Sequence, residues 1–214
     1  MHFHVITLFP EAFESYLEAS IIGRAIRDKK ITVSFYNPRD FTKDKHRRVD
    51  QKPYGGGPGM VLEAESILRA AKKAIGKKKD VEVIFFDTGG KEFTNSYART
   101  LARSNKHVVF ICGHYEGVDA RVRKILKAKK VSIGHYTLTG GELPALVVID
   151  AVSRQLEGVL GNVSSLEDDR VASPEVYTRP AELVWEGKTR RVPKVLISGH
   201  HAEIEKWKDS KRKK

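Results

Sequence analysis

The sequence predicts an α/β fold in which a mostly parallel sheet is flanked by helices, followed by a small, mainly helical C-terminal domain. Three observations predict it. Short apolar runs that suit buried strands alternate with segments whose apolar residues recur at helical spacing, the signature of a parallel sheet. Two glycine-punctuated loops, Cys112-Gly-His-Tyr-Glu-Gly117 and Ser132-Ile-Gly-His-Tyr-Thr-Leu-Thr-Gly-Gly-Glu-Leu-Pro144, lie at strand ends, where open α/β sheets place their ligands. A length of 214 residues accommodates one such domain and an appendage.

Taken in order, Val5-Ile-Thr-Leu-Phe9 reads as a buried strand that Pro10 ends, and Glu11 to Lys30 as a helix with Phe13, Leu17, Ile21, Ile22 and Ile26 on its apolar side. Ile31 to Tyr36 alternates as a strand. Asn37 to Gly59 is a polar, basic, Gly/Pro-rich loop of a length that is usually functional or disordered, before a helix over Leu62 to Ala74. Val81 to Phe86, His107 to Ile111 and Val131 to Ile133 read as strands, with helices over Thr94 to Ser104, Val118 to Lys130 and Leu143 to Leu156. Gly158 to Pro174 has the polarity of a linker. Beyond it come Tyr177-Thr-Arg-Pro180, a strand over Val192 to Ile197, and a helix from Ala202 that ends in Lys208-Asp-Ser-Lys-Arg-Lys-Lys214.

A net charge of +12 and a pI of about 9.7 favour a polyanionic partner. No apolar stretch reaches the ~18 residues of a spanning helix, and Met1-His-Phe-His4 lacks the marks of a signal peptide, so a soluble, cytoplasmic protein without a membrane partner is expected. Cys112 is the only cysteine, which excludes an intramolecular disulfide and a thiolate zinc cluster. Its neighbours Ile111 and Gly113 suit a small packing residue better than a nucleophile.

Two phosphate-loop lookalikes fail. Gly187-Lys-Thr189 has Glu182 where a Walker loop needs its first glycine, and Gly55-Gly-Gly57-Pro-Gly59 meets Met60 where a dinucleotide fingerprint needs its third. Pro53 to Gly59 instead offers a backbone that a ligand can approach closely, beside the cations Arg39, Lys43, Lys45, His46, Arg47, Arg48 and Lys52, which suit phosphate contact. Glu167-Asp-Asp169 is a solvated acidic turn or, through mutual repulsion, a source of a general base. Arg154 stands four residues after Asp150 on one helix face and suits an ion pair with it. His200-His201 with Glu203 reads as a helix entry in preference to a metal site.

Nearly the whole chain resembles the bacterial tRNA (guanine-37-N1)-methyltransferases, the TrmD-type members of the knotted SPOUT superfamily. The resemblance rests on Ile6-Thr-Leu-Phe-Pro10, Pro38-Arg-Asp-Phe-Thr42, His46-Arg47, Val49-Asp50, Pro53-Tyr-Gly-Gly-Gly-Pro-Gly-Met60, Cys112-Gly-His-Tyr-Glu-Gly117, Gly140-Gly-Glu-Leu-Pro-Ala145, Val152-Ser-Arg154, Tyr177-Thr-Arg-Pro180 and Ser198-Gly-His-His-Ala202, in one order.

It implies a deep trefoil knot, contrary to the general prior against knots, in a domain over 1–160 that binds S-adenosyl-L-methionine. It implies cofactor contacts from Gly113, Tyr115, Glu116, Ile133, Gly134, His135, Tyr136, Thr137, Leu138, Gly140, Gly141 and Pro144. Over 161–173 it implies a flexible linker with Asp168 as general base, or Asp169 in the alternative register, and over 174–214 a shortened tRNA-binding domain. Arg154 would stabilise charge on O6, and His46, Arg47, Asp50, Tyr54, Gly55, Gly56, Gly57, Pro58, Gly59 and Ser165 would meet the RNA. Mg2+ and a homodimer with a composite active site are further implications. His135, Gln51 and His200 depart from the family's usual Asp, Asp and Asn, and the chain stops soon after Trp207, which predicts a weaker grip on tRNA unless Lys211-Arg-Lys-Lys214 compensates. A knotted methyltransferase with another RNA target, and a non-catalytic RNA-binding protein on the same fold, are the competing expectations.

Overall fold

Successive side chains along a strand face opposite ways, and in this chain that alternation sorts the core into two layers around a parallel sheet. A computed structural model describes residues 1–104, 106–161 and 175–212. They form two compact units, Met1–Leu160 and Gly161–Lys214. In chain order the first unit has β1 (His2–Ile6), α1 (Glu14–Glu18), α2 (Ser20–Arg27), β2 (Thr32–Tyr36), β3 (Asp50–Gln51), β4 (Val61–Leu62) and α3 (Ala64–Ile75). It continues with β5 (Val81–Glu92), α4 (Asn95–Ser104), β6 (His107–Ile111), α5 (Ala120–Leu126), β7 (Lys129–Ser132) and α6 (Glu142–Ser153).

The main sheet runs β2-β1-β6-β5-β7, parallel throughout. Phe3, Val5, Val108 and Phe110 face the layer that holds Phe13, Leu17, Ile22, Leu101 and Ile149, beneath α1, α2, α4 and α6. Ile6, Val109 and Ile111 face the other, where α3 and α5 bring Ile67, Ala70, Ala71 and Val122. Both faces are covered, as parallel sheets require. Among the described residues no helix is long and apolar enough to cross a membrane.

Two expectations need correction. The helix over Glu11 to Lys30 is broken: after a 3-10 turn at Pro10–Phe13, Ala19 adopts an extended backbone between α1 and α2. The break keeps Leu17 and Ile22 both buried, which one straight helix axis does not require of the sequence. In the second unit, Val192 to Ile197 is not a strand. Pro193, which has no N–H to donate to a ladder, caps a single helical turn, α7 (Lys194–Ile197), ahead of α8 (His201–Arg212). The strands lie earlier, as an antiparallel hairpin of β8 (Glu182–Trp185) and β9 (Lys188–Arg191), so this unit is helical and β together. Glu186 and Gly187 both have positive φ, the two-residue turn that such hairpins favour.

Candidate active site

The carboxyl ends of β5, β6 and β7 open into a cavity of about 550 Å³, within the range of small-molecule sites. Two loops that touch each other build most of its wall. One leaves β6 and the other leaves β7, crosses the end of β5 and enters α6. His114 and Gly140 form an antiparallel bridge, and the Gly141 amide donates to the Gly113 carbonyl at 3.1 Å. A Cβ on Gly141 would lie 2.5 Å from the Cα of Cys112, so only glycine fits the crossing.

Gly113, Tyr115, Glu116, Ile133, Gly134, Tyr136, Thr137, Leu138, Gly140, Gly141 and Pro144, expected around a cofactor, all line this cavity. His135 does not. The Tyr136 hydroxyl donates back to the Ile133 carbonyl, and His135 between them is exposed to solvent. The cavity also gathers Phe85, Phe86, Asp87, Thr88, Arg123 and Lys130, which sequence reasoning missed. Their signal is Asp87-Thr-Gly-Gly90, a third glycine-punctuated end to an apolar run. The Lys130 ammonium, 2.7 Å from Asp87, and the Gly89 amide hold that carboxyl below its usual range.

Beneath the loops lies a buried polar network. Thr7 Oγ1 donates to Glu142 Oε1 at 2.6 Å, and His114 Nε2 lies 2.7 Å from Glu142 Oε2. Thr7 follows β1, His114 sits on the first loop and Glu142 opens α6, so one carboxylate ties three segments together at the cavity floor. The edge of Phe9 packs on His114. Cys112 is wholly buried beside this network, in keeping with a packing role.

The basic, glycine-rich loop is rooted at the cavity mouth. Glu116 N–H donates to the Met60 carbonyl, Leu62 N–H to Gly117 and Asp119 N–H to Leu62, each near 3.0 Å. Gly55, Gly56, Gly57 and Gly59 take positive φ, while Tyr54 and Pro58 are exposed. His46 is exposed, Arg47 pairs with Asp40, Arg48 pairs with Asp44 at 2.9 Å, and Asp50 belongs to the β3–β4 ladder.

Arg154 caps the end of α6, its amide donating to the Asp150 carbonyl. The Asp150 carboxylate accepts the Tyr16 hydroxyl at 2.7 Å, which raises the phenol's pKa. His200 and His201 are exposed, and the His200 carbonyl accepts the amides of Glu203 and Ile204, a helix entry. Ser165, Glu167, Asp168 and Asp169 lie outside the described residues.

The family described as tRNA (Guanine-1)-methyltransferase TrmD matches residues 1–214. The chain is 44% identical over 214 residues to a tRNA (guanine-N(1)-)-methyltransferase of Ruminiclostridium cellulolyticum, covering 97% of this chain and 89% of the relative. Proteins of the same name from Buchnera aphidicola (43%, covering 96% and 87%) and Caldanaerobacter subterraneus (46%, covering 99% and 86%) are similar over comparable spans.

Proposed function

The chain belongs to the tRNA (guanine-1)-methyltransferase family and methylates N1 of a guanine in tRNA, and from that premise we propose that its target is guanine 37, beside the anticodon and preceded by guanine 36. The observation that carries the assignment of the site is the cavity formed where the two bridged loops meet, with the glycine-rich RNA loop rooted at its mouth.

The residues present fit S-adenosylmethionine. The wall combines backbone groups of Gly113, Gly134 and Gly140 with the apolar Ile133, Leu138 and Pro144, as an adenine face and its polar edge require. When bound, it supplies a methyl group on a cationic sulfonium that leaves as a neutral thioether. Glu116, which lines the cavity, would meet its methionine end. Guanine N1 carries a proton, so Asp168 takes that proton as the N–C bond forms, and Arg154 stabilises the negative charge that moves toward O6. Asp169 is the register alternative. The remaining RNA contacts fall to His46, Arg47, Asp50, Tyr54, Gly55 to Gly59 and Ser165. Mg2+ prefers oxygen donors. Among the described residues the one grouping of three ligand-type side chains is made of imidazoles, a donor set that does not suit Mg2+.

The second loop's path from edge strand β7 across β5 to the loop after β6 supports a trefoil threading of the domain over 1–160. A homodimer is supported by α6, where Leu143 and Val147 are exposed in a stripe that continues through Asp150 to Arg154. In such a dimer the linker carboxylate and the small domain of one subunit meet the cofactor of the other, making the active site composite. The unit over 174–214 grips tRNA, and exposed Trp185 with Lys188, Arg190 and Arg191 on the hairpin suits base stacking and phosphate contact. The enzyme is cytoplasmic, with its substrate.

The test is mass spectrometry of unmodified tRNA bearing guanines 36 and 37 after incubation with enzyme and S-adenosylmethionine. One methyl on N1 of guanine 37, absent when guanine 36 is replaced, is expected, and Asp168→Asn lowers turnover by at least ~10²-fold while the cofactor still binds. Wild-type turnover in Asp168→Asn moves the base to Asp169.

A further inference from the structure

Toward the amino ends of β1 and β6, at the opposite end of the sheet from the cavity, three imidazoles converge. His2 and His4 lie two residues apart on one face of β1, and His107 opens β6 in register with His2. The rings of His2 and His4 stack with centroids 3.9 Å apart, and His4 Nε2 lies 3.2 Å from His107 Nδ1. One nitrogen from each ring lies within 4.8 Å of one from each of the others. We propose that His2, His4 and His107 form a binding site for a late first-row divalent cation of the Zn2+ class.

The donor set and the spacing argue for it. Imidazole is a preferred ligand of Zn2+, Ni2+ and Cu2+, and metal–nitrogen bonds of about 2.05 Å at tetrahedral angles place two nitrogens about 3.3 Å apart. The pair His4–His107 already stands at that separation, so the ion replaces their shared proton with little movement. The second layer is in place as well. The Tyr36 hydroxyl meets His4 Nδ1 at 3.2 Å, and the Ser34 hydroxyl meets one nitrogen of His2 at 2.8 Å, the outer contacts that orient metal-binding histidines. His4 is fully buried, whereas His2 and His107 are half-buried, which leaves a path for the ion and a fourth position for water. Burial, and after it the charges of the neighbouring rings, Lys78, Lys106 and the terminal amine, lowers the pKa of all three rings and favours the unprotonated state that ligates. Those cations also oppose a dication, so micromolar rather than picomolar affinity is expected.

The ion joins neighbouring strands at the end of the sheet away from the cavity. It therefore raises stability by RT ln(1 + [L]/Kd) without entering the methyl transfer. The experiment is titration of tag-free, chelator-stripped protein with ZnCl2 by calorimetry, with Co2+ absorption as a geometric readout. His2→Ala/His107→Ala is the test variant, because burial of His4 makes it the substitution that risks the fold, and His200→Ala/His201→Ala is the control. One equivalent per chain, at least tenfold weaker in the test variant and unchanged in the control, with intense tetrahedral Co2+ bands, is the expected result. Absence of binding, or equal binding by the test variant, overturns the proposal. Methyltransferase activity of the test variant, expected at the wild-type level, shows that it is folded.

Discussion

Burial and the nearby Glu142 carboxylate push the Cys112 thiol well above the ordinary thiol range, which keeps it protonated and inert at neutral pH. In the unfolded chain the same thiol ionises near pH ~8.5. Above that pH the native state retains a proton that the unfolded state has released. The stability contributed by the buried thiol is therefore complete below the ordinary thiol range and is lost as pH rises beyond it, by up to about 1.4 kcal/mol per pH unit. Denaturant midpoints from pH ~7 to ~10 should fall more steeply for wild type than for Cys112→Ala; parallel profiles would show that the thiol ionises in place. Glu142 carries a different burden. Both of its oxygens are engaged, one by Thr7 and one by His114, under the junction of the two cavity loops. Glu142→Gln replaces a charge-assisted pair by one amide that must donate on one side, a loss on the order of 1–3 kcal/mol. A KM for S-adenosylmethionine raised about tenfold or more, with kcat for bound tRNA little changed, is expected from steady-state kinetics. An unchanged KM would reduce the network to a stability role.

Helix α6 has a buried face and an exposed face that the proposed dimer would cover, and the two can be separated by mutation. Ala145, Val148, Ile149 and Val152 are buried against the sheet, while Leu143 and Val147 are exposed. Placing carboxylates at the exposed positions, Leu143→Glu/Val147→Glu, leaves the core layer untouched but opposes burial of this stripe in a dimer, since an unpaired buried charge costs several kcal/mol. Sedimentation should find a folded monomer without methyltransferase activity; an active monomer would remove the composite site. Elements such as β6 and α3 were legible because a parallel sheet buried on both faces leaves continuous apolar strands, as in His107 to Ile111, and helices with one apolar side, as in Ala64–Ile75. What was not legible depends on contacts between segments. Nothing in Glu11 to Lys30 announces the extended Ala19, and the hairpin at Glu186-Gly187 has solvent-exposed strands with no buried face to set an alternating pattern. The site was half visible for the same reason. Glycines that let two loops cross show in the sequence, whereas Glu142, joined to Thr7 over 135 residues and to His114 over 28, shows only once the loops meet.

At the scale of the molecule, a net charge of +12 makes tRNA affinity steeply dependent on salt, because each neutralised phosphate releases counterion. That field brings the RNA to the protein, whereas in the proposed dimer the chemistry depends on how two copies share their parts. The cofactor cavity is built wholly within Met1–Leu160, whereas the proposed base lies on the linker that follows. If the linker of each subunit serves its partner's cavity, two differently damaged chains can restore one another. Asp168→Asn removes the base and leaves the cavity intact. Leu138→Arg leaves the base intact and places a cation in the cavity wall, where it would obstruct a bound cofactor and repel its sulfonium charge; Leu138 is partly exposed there, so the fold tolerates the change. Each variant alone should be inactive. On refolding or co-expressing them in equal amounts, half of the two-fold symmetric dimers are mixed, and each mixed dimer holds one site with both an intact cavity and an intact Asp168. Activity should return to roughly a quarter of the wild-type level. If each subunit used its own carboxylate, every site in the mixture would carry one of the two lesions, and the mixture would be as inactive as its components.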